Sequence, residues 1–138
     1  MRSMGLDLGT KTLGVALSDP SGIIAQGLMT HFFPEGDYEH AAAFALELIG
    51  KHQVGAVILG HPRNMDGTSG FQAQISEAFQ ARLAQMTTVP VILWDERLTT
   101  RIAQFALRGA KPKDKKQKVD QLAAAVLLQS YLDSKKGV

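Results

Sequence analysis

The sequence has no cysteine, a single tryptophan and no apolar run long enough to cross a bilayer. Without cysteine, a disulfide scaffold, a thiolate nucleophile and a zinc–thiolate site are all excluded. A membrane-spanning helix needs about 20 apolar residues, whereas runs such as Val54 to Leu59 are far shorter and no apolar signal segment opens the chain. We therefore expect a soluble, unexported, cytoplasmic protein that does not bind membranes.

Charge is present but unevenly distributed along the chain. A length of 138 residues is enough for one domain, residues 1–138, with its own core. The formal net charge of +2 combines +5 on residues 108–138 with −3 on the preceding residues. A basic end indicates a polyanionic partner, although a solvated lysine-rich loop gives the same pattern. We predict that Lys111 to Lys118 is such a mobile loop.

The order of apolar segments predicts the fold class. Met4 to Leu8, Leu13 to Ser18 and Ile23 to Met29 are short apolar stretches separated by turn signals, which predicts a three-strand antiparallel meander. The rest of the chain alternates helical periodicity with continuous apolar runs, which are typical of parallel strands joined by crossover helices. The sequence therefore predicts an α/β fold with a mixed five-stranded sheet flanked by helices.

The later elements have individual boundary signals. The sequence predicts a helix that starts at Tyr38, with Asp37 as its N-cap and Gly50 as its end, and then a strand from Val54 to Leu59. A capping box of Ser69 and Gln72 opens the next predicted helix. A strand from Val89 to Trp94 follows, and then helices over about Thr99 to Arg108 and Val119 to Leu132. Trp94 has few aromatic neighbours in the sequence and is expected in the core rather than on a base-stacking surface.

Acidic residues from three of these elements can meet. Asp7 lies inside an apolar strand, where a carboxylate is costly unless it is paired or bound to metal. Asp95 and Glu96 directly follow a predicted parallel strand, and Asp120 begins the last predicted helix. Because ligand sites in such sheets lie beyond the carboxyl ends of the strands, these acids can converge there.

A divalent cation would resolve the repulsion within such a cluster. Oxygen ligands without cysteine or paired histidine favour Mg²⁺ or Mn²⁺. Two such ions can activate water and stabilise the leaving oxygen of a phosphodiester. Ala123 and Ala124, one turn after Asp120, are small enough for the last helix to approach the sheet closely. Alternatively, Asp95 and Glu96 are surface groups at a strand end and Asp120 is only a helix cap.

Four segments, in this order, resemble the YqgF/RuvX family. They are Gly5 to Gly9 with Gly14 to Asp19, Gly60 to Gly67, Asp95 to Thr100, and Val119 to Ala124. The resemblance spans nearly the whole chain and implies an RNase H-like fold. Members are described as Holliday junction resolvases, and some are assigned to maturation of the 5′ end of 16S ribosomal RNA. The resemblance therefore implies a metal-dependent nuclease.

Matched residue by residue, the resemblance assigns the catalytic and metal-binding roles to Asp7, Glu96 and Asp120. Asp95 is a reserve that either orients the ligands or replaces Glu96. The chain departs from the family at two places. Lys11 is followed by threonine where the family commonly has arginine, which removes one candidate phosphate contact. His61 stands where leucine is common, and we interpret it as a tolerated substitution rather than a proton shuttle.

Basic and amide side chains near these acids are candidates for phosphate binding. The glycine-rich loop before the helix at Ser69 could hold an anion, and a helix could present two arginines four residues apart to one phosphate region. Lysines of the 111–118 segment could clamp a strand without selecting its sequence. The candidates are Lys11, Arg63, Asn64, Arg97, Arg101, Lys113, Lys115 and Lys116. The alternatives are an ordinary turn, arginines paired to the acids, and a solvated lysine run.

The leading hypothesis is an endonuclease that hydrolyses phosphodiester bonds in structured or single-stranded nucleic acid. Precursor ribosomal RNA, within ribosomal precursor particles, is the expected substrate, with branched DNA as the alternative, and the chain is expected to be a monomer or weak homodimer. A second hypothesis is a kinase, because Asp7 to Thr12 resembles the phosphate loop of the actin and sugar-kinase superfamily, but one domain provides only half of that cleft. A third is a non-catalytic nucleic-acid-binding adaptor whose acids are structural.

Overall fold

The computed structural model describes residues 1–62, 70–95 and 112–136. These residues form five strands and three helices. In chain order they are β1 (Arg2–Leu8), β2 (Thr12–Ser18), β3 (Ala25–Phe32), α1 (Tyr38–Lys51), β4 (Val54–His61), α2 (Phe71–Met86), β5 (Val91–Asp95) and α3 (Pro112–Lys136).

The strands form one mixed sheet in the order β3-β2-β1-β4-β5. β1, β2 and β3 pair antiparallel, whereas β4 pairs parallel with β1, and β5 pairs parallel with β4. This confirms the predicted antiparallel meander with parallel crossover strands. β1 is the central strand, so its residues lie between partners on both sides.

The two faces of the sheet are covered by different helices. Because side chains alternate along a strand, Leu6 and Leu8 of β1 lie on the face covered by α1 and α2, where they join the larger core cluster. Gly5 lies on the other face, against α3. A second cluster on that side joins Ala16 and Ile58 to the buried residues of α3.

Helix α3 packs unusually close to the sheet. A Cβ atom at Gly5 would lie 2.8 Å from the carbonyl oxygen of Ala124, and one at Gly14 would overlap the carbonyl of Asp120. Ala123 and Ala124 are fully buried, so the predicted close approach is confirmed. Leu127, also fully buried, contributes roughly 1.5–3 kcal/mol to holding the helix in place.

The prediction of a loop over Lys111 to Lys118 is wrong where the structure describes it. α3 begins at Pro112, seven residues before the predicted Val119, and ends at Lys136. The physical reason is that lysine and glutamine are good helix formers, and proline is well tolerated in the first helical turn. A run of solvated charge is compatible with either a loop or a helix.

Several boundaries also differ from prediction. α2 begins at Phe71 with Gly70 as its N-cap and no side-chain cap hydrogen bond; Ser69 of the predicted capping box lies outside the described residues. Gly50 does not end α1, which continues to Lys51. The backbone takes a positive φ two residues after the helix, at Gln53, where φ is 53°.

Other boundary predictions are confirmed or untested. The N-cap of α1 is as predicted, since the Asp37 carboxylate accepts the N–H of His40 at 3.1 Å. The helix predicted over Thr99 to Arg108 lies outside the described residues. Of the described helices, none combines the length and apolar character needed to cross a membrane.

The turn between β2 and β3 is built around a carboxylate. Asp19 accepts the N–H of Ile24 at 2.8 Å and of Ile23 at 2.7 Å, as well as the Ser21 hydroxyl. The hydrogen bond from Ile24, followed by those from Ser21 and Ile23, holds the pKa of Asp19 well below its usual range. Gln129 of α3 donates to the Ile23 carbonyl at 2.9 Å, so this turn is also tied to the last helix.

A histidine pair joins the edge strand β3 to α1. The Nε2 atoms of His31 and His40 are 3.1 Å apart, and the His31 ring stacks on Phe44 with 3.6 Å between centroids. Burial lowers the pKa of His31, the neighbouring His40 lowers it further, and Glu47 partly opposes the shift. The folded protein therefore favours neutral His31.

Acidification is expected to destabilise the fold through this residue. Because the pKa of His31 is lower in the folded state, the unfolded chain binds more protons as pH falls through about 6.5, and the free energy of unfolding decreases. In His31→Phe, which keeps an aromatic ring against Phe44, we expect a smaller decrease between pH 7 and pH 5 in urea-unfolding titrations. His52→Gln is the matched control and should keep the wild-type dependence; an unchanged dependence in His31→Phe would contradict the assignment.

Candidate active site at the carboxyl end of the central strand

Asp7 lies near the carboxyl end of β1, on the face covered by α3. Its neighbours Leu6 and Leu8 belong to the core on the opposite face, so strand alternation directs Asp7 toward α3. Its partner on β2 is Gly14, and the residue is half-buried. A carboxylate in this setting is held in a defined direction by the sheet rather than by a flexible loop.

Asp120 of α3 approaches the sheet at the same place. Its Cβ lies 3.2 Å from the position that a Cβ at Gly14 would occupy. Because opposed residues of an antiparallel pair have Cβ positions roughly 4.5–5.5 Å apart, the Cβ atoms of Asp7 and Asp120 lie within about 9 Å of each other. The structure therefore brings together two of the three predicted acids on one face and at one end of the sheet.

Gly14 is the residue that permits this approach, and the sequence analysis gave it no role. No side chain can stand between β2 and the backbone of Asp120, since even a methyl group would overlap the Asp120 carbonyl. The available signal was the glycine itself, because a glycine inside an apolar strand often marks close approach of another backbone.

The end of β5 carries the reserve acid, Asp95, on the other side of the sheet. Asp95 is exposed and pairs in register with His61 of β4. His61 faces α2, where its Nε2 lies 3.3 Å from Glu77 Oε1 without forming a hydrogen bond. Parallel partners point to the same face, so Asp95 and His61 are separated from Asp7 by the sheet.

This placement fits the interpretation of His61 as a tolerated substitution rather than a proton shuttle for Asp7. It also places Asp95, the reserve acid, on the opposite face of the sheet from Asp7. Glu96 itself lies outside the described residues, and its role stays a prediction.

The predicted phosphate-binding residues fall into three groups. Lys11 is exposed in the turn after β1, at the same end of the sheet as Asp7, and its carbonyl accepts the N–H of Phe33 at 3.0 Å. The lysines of α3 lie in its first turns, before Asp120; they are Lys113, Lys115 and Lys116. The remaining candidates lie outside the described residues; they are Arg63, Asn64, Arg97 and Arg101.

The donor set around Asp7 and Asp120 suits a hard divalent cation. Both side chains offer carboxylate oxygens, the ligands preferred by Mg²⁺ and Mn²⁺. Within residues 1–62, 70–95 and 112–136, no three His, Asp or Glu side chains come together as a metal-binding group. The predicted third ligand is Glu96, which is not among those residues. The two described acids therefore fit the proposed ion as two of its ligands.

Comparison with known families gives a match over almost the whole chain. The family model described as "RuvX: Holliday junction resolvase" matches residues 1–134. The chain belongs to the RuvX family. This confirms the resemblance carried by the four sequence motifs.

Relatives of this RuvX family member match along their full lengths. A protein of Geobacillus kaustophilus named "Putative pre-16S rRNA nuclease" is 46% identical over 138 residues, covering 99% of this chain and 100% of the relative. A Bacillus subtilis protein with the same name is 46% identical over 136 residues, covering 97% of this chain and 99% of the relative.

Solved structures confirm the RNase H-like fold of this RuvX chain. RuvC of Thermus thermophilus, in complex with a Holliday junction substrate, superposes with a TM-score of 0.60 at 17% identity, covering 99% of this chain and 96% of RuvC. The fowlpox virus Holliday junction resolvase gives a TM-score of 0.60 at 17% identity, covering 97% of this chain and 99% of the viral chain. At these identities the likeness concerns the fold alone.

The contact between Gly14 and α3 makes a direct prediction about stability. Gly14→Ala forces α3 away from β2, and overpacking of this kind costs about 1–3 kcal/mol. Urea unfolding should show that loss, and amide hydrogen exchange should increase in α3 around Asp120.

The matched control is Gly50→Ala in α1, where no atom lies within 4 Å of the added Cβ. Alanine is the better helix former, so this variant should gain roughly 0.5–1 kcal/mol. Wild-type stability and exchange in Gly14→Ala would show that the helix does not depend on this contact.

Proposed function

We propose that this RuvX family member is a metal-dependent endonuclease that hydrolyses phosphodiester bonds during 5′-end maturation of precursor 16S ribosomal RNA. The observation that carries the proposal is the meeting of Asp7 and Asp120 at the carboxyl end of the central strand. The relatives that match over their full lengths, with names of pre-16S rRNA nucleases, support the substrate.

Asp7, Asp120 and Glu96 would hold Mg²⁺ or Mn²⁺. When bound, the ion supplies positive charge that offsets the carboxylates and the phosphate oxygens and makes a water molecule more acidic. Asp7 is directed by the sheet and Asp120 by a helix seated on that sheet, so both carboxylates are oriented before substrate binds. Such preorganisation reduces the rearrangement needed during the reaction.

The cationic side chains would hold the strand across the acids. Lys11 lies in the turn between β1 and β2, at the end of the sheet where Asp7 lies, and the α3 lysines precede Asp120 along the same helix. Together with Arg63, Asn64, Arg97 and Arg101, they would neutralise phosphates, so binding should weaken with salt and not depend strongly on base sequence. The substrate is reached in the cytoplasm, on ribosomal precursor particles, by a monomer or weak homodimer.

Resolution of four-way DNA junctions is the second candidate. It is favoured by the description of the family model and by the likeness in fold to two resolvases, both of which have been solved with junction DNA. Cutting two strands of a junction requires two active sites, so this function would require a dimer. Parallel assays on a precursor 16S fragment and a four-way junction distinguish the candidates.

The three proposed acids should be required for cleavage. We expect Asp7→Asn, Glu96→Gln and Asp120→Asn each to lower the cleavage rate at least about 100-fold, because each removes several kcal/mol of charge stabilisation. Asp133→Asn, in an exposed residue farther along α3, is the matched control and should cleave like wild type. Equal cleavage by wild type and Asp7→Asn would reject the site, and a loss in Asp95→Asn but not in Glu96→Gln would exchange their roles.

Metal binding should also be visible without substrate. At a hundredfold excess over its dissociation constant, a ligand specific for the folded state adds about 2.7 kcal/mol of stability. Mn²⁺ should therefore raise the melting temperature of wild type, and EDTA should reverse the increase. Asp7→Asn and Asp120→Asn should show little increase; an equal increase in all three proteins would place the ion elsewhere.

A further inference from the structure

Trp94 lies beside the candidate active site. It is the only tryptophan in the chain and belongs to β5, the strand at one edge of the described sheet. Ile92 and Trp94 pack against the core cluster on the α3 side. Trp94 therefore shares a face of the sheet with Asp7, although it comes from a different strand.

The register of the strands gives the spacing between Trp94 and Asp7. Trp94 pairs with Gly60, and Gly60 follows Leu59, the partner of Leu6. Gly60 is thus level with Asp7 and lies between it and Trp94. With neighbouring strands about 4.8 Å apart, the indole and the carboxylate arise roughly 10 Å from each other. Gly60 contributes no side chain between them.

The indole is anchored through its edge. Its Nε1–H donates to Ser130 Oγ at 3.2 Å, and Tyr131 packs perpendicular to it, at 89° with 5.2 Å between centroids. The Nζ of Lys135 lies 5.0 Å from the Tyr131 ring centroid. The N–H is in the plane of the indole, so this hydrogen bond fixes the ring without using its π faces.

Trp94 has features of both a core residue and a nucleic-acid-binding residue. Trp94 packs on the core, as the sequence analysis predicts, but it remains partly exposed. A partly exposed aromatic ring that is held by a hydrogen bond offers a surface on which bases of a single strand stack, largely independently of their sequence.

We propose that Trp94 stacks on an unpaired base of the bound strand and thereby sets which phosphodiester lies at Asp7. The inference rests on the proposed nuclease function. At roughly 3.4 Å per stacked nucleotide, a separation of about 10 Å corresponds to a base within about three nucleotides of the cleaved bond. The ligand is a single-stranded segment of RNA or DNA, because both offer the same π surface.

The fluorescence of Trp94 tests this directly in the wild-type protein, because no other tryptophan contributes. The protein is titrated, without added divalent metal, with a 12-nucleotide RNA, its DNA counterpart, and an abasic strand that has the same phosphates. Stacking should quench the emission with both intact strands and much less with the abasic strand. Equal quenching by intact and abasic strands would overturn the proposal.

Variants give a second measurement that does not depend on fluorescence. Loss of one stacked base corresponds to about 5- to 150-fold in affinity, so Trp94→Leu should bind the intact strand that much more weakly. Binding of the abasic strand should not change, and Trp94→Phe should be intermediate. Circular dichroism melting checks that Trp94→Leu is folded; if it is not, the quenching experiment on wild type and the Phe variant decide.

The outcomes separate this inference from the proposed function. If wild type cleaves RNA in an Asp7-dependent way but Trp94→Leu and wild type bind intact RNA equally, only the stacking role fails. If Asp7→Asn cleaves like wild type while quenching requires bases, the assigned catalytic site fails and the stacking surface stands. If wild type binds neither the intact RNA nor the intact DNA, both the stacking role and the proposed nuclease function are overturned.

Discussion

The contact on which the site depends is the direct packing of a helix backbone against a β-sheet. α3 lies so close to β1 and β2 that its carbonyl groups occupy the space where side chains of Gly5 and Gly14 would be. Two polar backbones approach this closely only if no side chain intervenes, so the glycines define both the height and the position of the helix. The location of Asp120 is a direct consequence, because that residue is part of the contact.

The two faces of the sheet differ in what they hold: one carries the larger core cluster, and the other carries the two candidate acids. On the side of α1 and α2, large apolar residues such as Leu6 and Phe79 fill the larger core cluster. On the side of α3, small residues leave room for a helix backbone and, near the carboxyl end of β1, for two carboxylates. The α3 side also has an apolar cluster, which includes Leu127 and Leu128, and its polar groups sit at the end of the helix contact rather than in its middle.

The order of strands and helices could be predicted because local signals agree with it. Apolar runs marked the strands, and Asp37 was recognisable as a helix cap. The helical state of the lysine-rich segment was not recognisable, since solvated charges occur in loops and in helices alike. The face on which Asp95 lies depends on the register of β5 against β4, which no local pattern contains.

The same limit applies to the candidate site. The acids were found from residue type and strand position, and their grouping followed from the rule that ligand sites lie at the carboxyl ends of parallel strands. The role of Gly14 was missed because its partner, Asp120, is more than 100 residues away in the chain. The prediction that Trp94 packs on the core is confirmed, but its partial exposure was not predicted, because it arises from an edge position that appears only when the sheet is assembled.

The strand β5 ends in Asp95 and is followed at once by a second acid, Glu96. In a strand, a slip of one residue in pairing moves every side chain to the opposite face. Such a slip of β5 along β4 would turn Asp95 from the α2 side to the α3 side. The same slip would move Val91 and Leu93 away from the core cluster on the α1 and α2 side, so the apolar packing of β5 fixes the face on which Asp95 lies.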